Sequence, residues 1–442
     1  MKRSKLIEQL FNNDSNYDSF NIAFNKESKK YFDNKFLSNY ENYYYQNIFF
    51  ISKVENIVLN SNKIVNNFFN ILIAFISVFI IIPVSIIHYL IIFYRLLGIK
   101  HFKKFIKGDF SVALCKQSLK KLECFSEVKK LSLYCLYDDL RMNDVLSSNK
   151  HVGMLELLSL SDRIKLFLSL KFLNVVIKNI YGYFLISRKY DYSLKFLFYF
   201  LKRFGIDSYS WLVLDNLLSS LSPNKVYSAS TNERYAIALK RLCVSNSIKT
   251  VCIPHGISPK LKLPNGIFGD EYFALSKIEM NYLSENYLEN TYIYNDELNH
   301  KMFKVTLDKE PLTKKFVYCT TSRNREEDEA IINKLCSVYE KIYVKLHPND
   351  KEGNYRFHRN ALIIESYPEA IVGNIVISRL SAVLIDASYN NSIPIMLIDN
   401  SLDIFDYKFL YEGIRTQSVI QVCSFNELTL TIKGLLLREK LQ

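Results

Sequence analysis

An α/β fold of the doubly wound parallel-sheet type, with an added hydrophobic N-terminal helical segment, is what this sequence predicts. Three observations carry the prediction. After Pro223, short apolar runs alternate with helix-period segments, a pattern that builds parallel sheets with helical crossovers. Those runs are nearly continuous in Val, Ile, Leu, Tyr and Cys and stop at polar or turn residues, as strands buried on both faces do. From Ile64 to Tyr94 there is no Asp, Glu, Lys or Arg, a stretch long enough to cross a bilayer.

The elements follow in order. Residues 1–63 mix polar Asn/Lys/Tyr runs with two strand-like pieces, "FNIAF" (Phe20–Phe24) and "NIFFI" (Asn47–Ile51), and receive no role. Residues 64–107 form the hydrophobic segment and its basic flank. Ile71–Tyr94 is almost wholly apolar and is followed by Arg95, Lys100, Lys103, Lys104 and Lys107, against Lys53 and Lys63 before it. The excess of cations places everything after Arg95 on the cytoplasmic side. Pro83 would kink a spanning helix or turn a re-entrant hairpin; a buried helix pair is the third arrangement.

Residues 108–268 are expected to form an N-terminal domain, helix-rich and then βαβ. "DRIKLFLSLKFLNVVIKNI" (Asp162–Ile180) and "YSLKFLFYFLKRF" (Tyr192–Phe204) carry apolar residues at helical spacing with lysines between them. "KVYSAS" (Lys225–Ser230) reads as a strand. "TNERYAIALKRLCVSN" (Thr231–Asn246) reads as a helix capped by Ser230 or Thr231, with Glu233 completing a capping box. "KTVCIPHG" (Lys249–Gly256) is the returning strand. Residues 269–310 are expected to connect two domains.

Residues 311–442 are expected to form a C-terminal domain. Its strands are "KKFVYCTT" (Lys314–Thr321), "KIYVKLHP" (Lys341–Pro348), "ALIIES" (Ala361–Ser366), "NIVISR" (Asn374–Arg379) and "IPIMLID" (Ile393–Asp399). Its helices are "NREEDEAIINKLCSVYE" (Asn324–Glu340), with acids in the first turn where the dipole favours them, and "LSAVLIDASYNN" (Leu380–Asn391).

Composition narrows the function. Hydrophobic residues make up 49% of the 442-residue chain and aromatics 14%, which excludes global disorder. The formal charge of +13 suits a phosphate-rich partner or an anionic membrane, or simply a lysine-rich surface. No nucleic-acid-binding signature accompanies it, so no nucleic-acid partner is expected. The eight cysteines (Cys115, Cys124, Cys135, Cys243, Cys252, Cys319, Cys336, Cys423) form no CxxC pair, which points to reduced, buried thiols and no metal cluster. No secretory signal pattern stands at the N-terminus.

In doubly wound sheets ligands bind beyond the carboxyl ends of strands, and candidate residues fall there. His255 follows a strand directly, between Pro254 and Gly256. Gly256 permits a turn that a side chain would obstruct, and His255 could serve as general base toward an acceptor hydroxyl. A turn histidine bonded to local backbone is the plainer alternative. In "KLHPND" (Lys345–Asp350), Pro348 forces an extended exit, His347 could bond a diphosphate oxygen and Lys345 could add charge. In "SRLSAVLIDA" (Ser378–Ala387), Ser378 and Ser381 could donate hydroxyls at a helix start and Asp386 could accept from ribose. "TTSRNR" (Thr320–Arg325) adds Thr321, Ser322 and Arg323 in a strand-to-helix loop.

Taken together, a strand-end His-Gly, a strand-end His-Pro and a Ser-x-x-Ser helix start resemble the GT-B glycosyltransferases of bacterial surface polysaccharides. The resemblance is nearest to the group with CMP- or CDP-activated donors: polysialyltransferases, capsule Kdo transferases and CDP-glycerol glycerophosphotransferases. It spans roughly Pro223–Asp399. "PHG" looks like the glycerophosphotransferase element whose histidine is the proposed base. "KLHP" looks like the shared His-Pro motif that contacts the donor phosphate. "SRLSAVLIDA" looks like the Ser-rich donor motif. The sialyltransferase acidic-acidic-Gly motif is not evident; in "FGDEYF" the acids follow the glycine, which leaves Asp270 and Glu271 as rival candidates for the base.

The resemblance implies two doubly wound domains facing a cleft, and sugar transfer from a nucleotide-activated donor, CMP-sialic acid or CMP-Kdo among the candidates. The acceptor would be a glycan or lipid-linked glycan at the cytoplasmic face of the inner membrane. No DxD stands at a matching strand end, so transfer without metal or other cofactor is expected. CDP-glycerol or CDP-polyol phosphate transfer and a non-catalytic membrane scaffold are the alternatives.

Overall fold

A computed structural model describes residues 82–101, 108–113, 116–140, 142, 151–169, 209–210, 212–230, 236–254, 269–288, 290–307, 313–321, 325–348, 350, 352–379, 381–398 and 419–439. The chain divides into two compact units and two sheets.

The first sheet has seven strands: β1 (Phe110–Ala113), β2 (Tyr134–Tyr137), β3 (His151–Gly153), β4 (Lys225–Ser228), β5 (Lys249–Cys252), β6 (Glu271–Ala274) and β7 (Thr291–Tyr294). Their order is β3-β2-β1-β4-β5-β6-β7. The second sheet has six: β8 (Phe316–Cys319), β9 (Ile342–Lys345), β10 (Ala361–Ile363), β11 (Ile375–Ser378), β12 (Ile393–Leu397) and β13 (Ile420–Val422), in the order β10-β9-β8-β11-β12-β13. Counted within itself, each sheet runs 3-2-1-4-5-6, the doubly wound order, and the first adds a seventh strand. The pairings β1–β2, β1–β4, β4–β5, β8–β9, β8–β11 and β11–β12 are all parallel. Two doubly wound parallel sheets are thus present, as the resemblance implies.

Burial explains why such short runs form strands. β1 and β11 are buried at every position, so covering both faces stabilises each residue, and no alternation is needed. Helices among the described residues include α1 (Ile82–Gly98), α2 (Lys116–Val128), α3 (Leu160–Phe167), α4 (Ala236–Ser245), α5 (Lys277–Asn286), α6 (Asp296–Phe303), α7 (Arg325–Val338), α8 (Tyr367–Ile371), α9 (Val383–Ser388) and α10 (Phe425–Glu439). α7 illustrates the packing. Asp328, Ile332, Leu335 and Cys336 fall on one face and are buried, and the apolar members join Val344, Ile375, Ile377 and Ile395 in the second core.

Two expectations are corrected. Beside their helices, residues 108–225 also supply β1, β2 and β3, whose apolar runs are too short to show any period. Residues 269–310 are not a bare connection. They carry β6, α5, β7 and α6, and β6 and β7 complete the first sheet. The polar, tyrosine-rich sequence there suits an edge, where β7 stays only partly buried. Among the described residues no helix is long and apolar enough to cross a membrane. α1 covers the second part of the apolar stretch; Ile71–Ile81, "FNIAF", "NIFFI" and Tyr192–Phe204 lie outside the described residues.

Candidate active site at the order reversal of the second sheet

Strand order reverses between β8 and β11, and the carboxyl ends on either side of that point define the crevice in which doubly wound sheets bind ligands. Register aligns those ends. Cys319 pairs with Ser378 across β8–β11 and with Lys345 across β8–β9. The residues just beyond them, Thr320, Thr321, His347, Arg379 and Ser381, therefore gather at one edge.

The β8 and β9 exits are tied together. The Thr320 N–H donates to the Lys345 carbonyl (3.0 Å), and the Thr320 hydroxyl accepts from the His347 N–H (2.8 Å). Beyond His347 the chain turns at once, with the Asp350 N–H on the His347 carbonyl (2.8 Å). Asp350 then accepts from Arg325 Nε (2.7 Å) and from the Tyr355 hydroxyl (2.9 Å). His347 is half-buried on this braced turn, and Pro348 is exposed beside it. Lys345 donates to the Glu365 carbonyl (2.5 Å), which draws its ammonium toward the β10 exit.

A buried ion-pair network stands between β8, α7 and β11. Arg379, 2% exposed, donates Nε to Asp328 (3.0 Å), Nη1 to Glu327 (2.5 Å) and Nη2 to the Thr321 hydroxyl (2.9 Å). Asp328 also accepts from the Tyr318 hydroxyl (2.8 Å), the Thr321 N–H (3.0 Å) and the Thr321 hydroxyl (3.2 Å). Burial alone would lower the proton affinity of Arg379, but Asp328, Tyr318 and Glu327 outweigh it and keep the guanidinium charged. Burial and Asp328 push the Tyr318 phenol well up. Burial lifts the Cys319 thiol to about 12, which makes it a packed thiol and not a nucleophile.

The predicted donor residues divide accordingly. Ser378 is corrected: it is fully buried and its hydroxyl donates to the Cys319 carbonyl (2.8 Å), tying β11 to β8. Ser381 is half-buried in the turn before α9, where its hydroxyl accepts weakly from the Val383 N–H (3.4 Å). α9 has only six residues, and its cap, Ala382, offers no side-chain bond. Asp386 accepts from the Tyr367 hydroxyl, so part of its carboxylate is already occupied. Thr321 belongs to the Arg379 network. Ser322 and Arg323 lie outside the described residues.

On the first sheet, β5 runs into buried Ile253 and Pro254 at its carboxyl end; His255 and Gly256 themselves lie outside the described residues. Asp270 and Glu271 are at the other edge. The Asp270 carboxylate accepts from the Thr250 N–H (2.6 Å) and hydroxyl (3.0 Å), and Glu271 pairs with Lys225 at 3.2 Å. Thr250, Lys225 and Glu271 all sit at the amino ends of parallel strands. Their chemistry is that of strand ties, and their place in the sheet is opposite the β5 exit, which removes them as rivals to His255.

Sequence reasoning passed over three groups. Arg379 stands inside the quoted serine motif, and the acids Glu327 and Asp328 open the helix beside it. Asp139 follows β2 at a carboxyl end. It is buried against Gly153, accepts from the Leu155 N–H (2.7 Å) and is raised to about 7, by burial first and then by Asp138 and Glu156 against that N–H bond. Lys240 is a buried lysine whose ammonium donates to the Ser230 carbonyl (3.2 Å) and whose proton affinity burial lowers. A charge adjoining an apolar run, as at "YCLYDD" and "ALKRLC", was the available signal.

No protein-family model matches the sequence, and no curated protein does. Solved structures similar to this chain include UDP-GlcNAc 2-epimerase from Methanocaldococcus jannaschii, at 12% identity and TM-score 0.44 over 74% of this chain and 92% of that one. The wall teichoic acid polymerase TagF is similar at 10% identity and TM-score 0.34 over 78% and 82%. The lipopolysaccharide outer core galactosyltransferase WaaB is similar at 11% identity and TM-score 0.35 over 67% and 83%.

Proposed function

We propose that this chain is a glycosyltransferase of surface polysaccharide synthesis (capsule, O-antigen or lipooligosaccharide) that takes its sugar from a nucleotide-activated donor without a metal. One observation carries the reading. The order reversal of the second sheet brings His347, on a turn braced by Thr320 and Asp350, to the same edge as Thr321 and Ser381. Such an edge is where doubly wound sheets hold phosphorylated ligands.

In this reading His347 donates to a phosphate oxygen of the donor, and Ser381 adds a hydroxyl. Arg379, being buried, acts through Thr321 and α7 and is a positioning residue. As the bond from the anomeric carbon to the donor phosphate breaks, charge grows on that phosphate, so a donor fixed at His347 stabilises the transition state more than the ground state. His255, after β5, takes the proton from the acceptor hydroxyl as the new glycosidic bond forms. A glycan or lipid-linked glycan is the acceptor.

The test is a donor screen with CMP-sialic acid, CMP-Kdo, CDP-glycerol and UDP-sugars, scored by nucleotide release with and without glycan acceptors, in EDTA. One donor is expected to turn over. His347→Ala is expected to cost about 100-fold in turnover and His255→Ala at least as much, the range for groups acting on the leaving group and as base. Turnover of CDP-glycerol alone would move the reading to polyol-phosphate transfer. Nucleotide binding without turnover of any donor would favour a scaffold.

A further inference from the structure

Helix α1 is fixed along one face and bare along the other. Ile92 and Leu96 are buried, and the Tyr89 and Phe93 rings both meet Phe167 of α3 at 5.8 Å between centroids. The carboxyl end of the helix is clamped. Arg163 of α3 donates to the carbonyls of Leu96 (3.3 Å), Ile99 (2.5 Å) and Lys100 (3.2 Å), and Arg95 donates to the Leu140 carbonyl (3.2 Å). The opposite face carries Ile87, Leu90, Ile91, Tyr94 and Leu97, which are 57%, 61%, 47%, 78% and 48% exposed. Their spacing of three and four residues makes one stripe. Leu168, next to Phe167 on α3, is 68% exposed as well. Large apolar side chains gathered like this mark a binding surface.

Charge selects the occupant. No acid occurs from Ile82 to His101, Lys100 and Lys165 are exposed, and the sequence continues with Lys103, Lys104 and Lys107. A second copy of the chain would bring the same cations face to face. Anionic lipid headgroups would meet opposite charge, and the acyl chains beneath them would take the stripe.

We propose that α1 lies flat on an anionic membrane surface, with Ile87, Leu90, Ile91, Tyr94 and Leu97 seated at the headgroup–acyl boundary and the lysines among the headgroups. The helix is anchored to the first unit by Arg163 and Phe167, so the membrane meets a rigid face and the protein lies on the bilayer through this helix. The inference rests on α1 alone and is independent of the transfer reading, since vesicle binding needs no donor.

The experiment is flotation of the full chain with phosphatidylcholine vesicles, with and without about one-third phosphatidylglycerol. The wild type is expected to float with the anionic vesicles and to lose binding as salt rises. The Leu90→Asp/Tyr94→Asp pair is expected to lower the bound-to-free ratio about tenfold or more, since each buried apolar side chain contributes on that scale. Lys100→Glu is expected to lower it about fivefold or more on anionic vesicles only. Val244→Asp, at an exposed apolar position of α4, is expected to leave binding unchanged. Ile87→Asp/Leu97→Asp repeats the stripe test at its ends, and urea unfolding reports which variants keep the fold. Flotation of a folded stripe variant at the wild-type level would overturn the proposal. So would a wild type that stays with the soluble fraction, or stripe variants that change only the oligomeric state.

Discussion

Replacing Arg379 with methionine removes the centre of a buried network while keeping an unbranched side chain of similar reach. The magnitude follows from what is left. Asp328 is fully buried, and after the change it retains the Tyr318 hydroxyl and both Thr321 donors but no cation. Removing one partner of a buried ion pair costs about 3–5 kcal/mol, because the remaining charge stays desolvated. The three surviving hydrogen bonds place the expected loss near the low end, about 3 kcal/mol. Glu327 contributes little of this. Its side chain is 36% exposed, and exposed pairs contribute about 1 kcal/mol or less, so Glu327→Gln is expected to cost under that. The assay is urea unfolding of Arg379→Met, Asp328→Asn and the double variant. The double variant is expected to lose less than the sum of the single losses by about 1.5 kcal/mol or more, as for groups in one network. Strict additivity, or a loss below about 1 kcal/mol for Arg379→Met, would refute the assignment of Arg379 as the brace of this edge.

Two further outcomes concern the first sheet. The Asp139 carboxyl is raised from 3.8 to about 7 by burial first, so the folded protein holds a proton there that the unfolded chain releases. A raised acid favours folding most below its unfolded value, and that stability is lost as pH rises from about 4 through about 7. At about 1.4 kcal/mol per pKa unit, up to ~4 kcal/mol is at stake. The urea midpoint of the wild type is expected to fall between pH 5 and pH 8, and Asp139→Asn to flatten that fall; an unchanged slope in the variant would refute it. Gly153 presses against the same carboxylate, and a Cβ there would stand 1.5 Å from Asp139 Oδ1. Gly153→Ala is therefore expected to destabilise by about 2 kcal/mol or more, read by thermal unfolding, and Asp139→Ala is expected to recover part of the loss. Equal losses with and without Asp139 would show that the clash is not with this side chain.

The parts that were legible and the parts that were not differ for physical reasons. The second sheet was readable because β8 and β11 are each followed by a helix, and the exits of β8, β9 and β11 each leave a mark: Thr320-Thr321, His347-Pro348, Ser378 to Ser381. Those marks stand at carboxyl ends, so one topological rule converts the list of motifs into one edge. In the first sheet the same rule lacked its input. β1, β2 and β3 are three or four residues long, as short as β8 to β11, but no proline or threonine mark follows them, so nothing separates their apolar runs from helix. Asp270 and Glu271 were misread for a related reason. An acid beside a strand is chemically the same at either end, and only the direction of the chain says which edge it occupies. Asp270 precedes β6 and Glu271 opens it, so they belong with Lys225 and Thr250 at the amino ends. Ser378 and Arg379 show the limit of motif reading at finer scale. Neighbours in the quoted serine motif, both turned out to be buried: one bonds a carbonyl of β8, the other reaches the acids of α7. Spacing could show that the motif lies at a strand end, but which hydroxyl faces a ligand and which closes the sheet depends on the partners that register brings alongside, and those come from β8 and α7, far away in sequence.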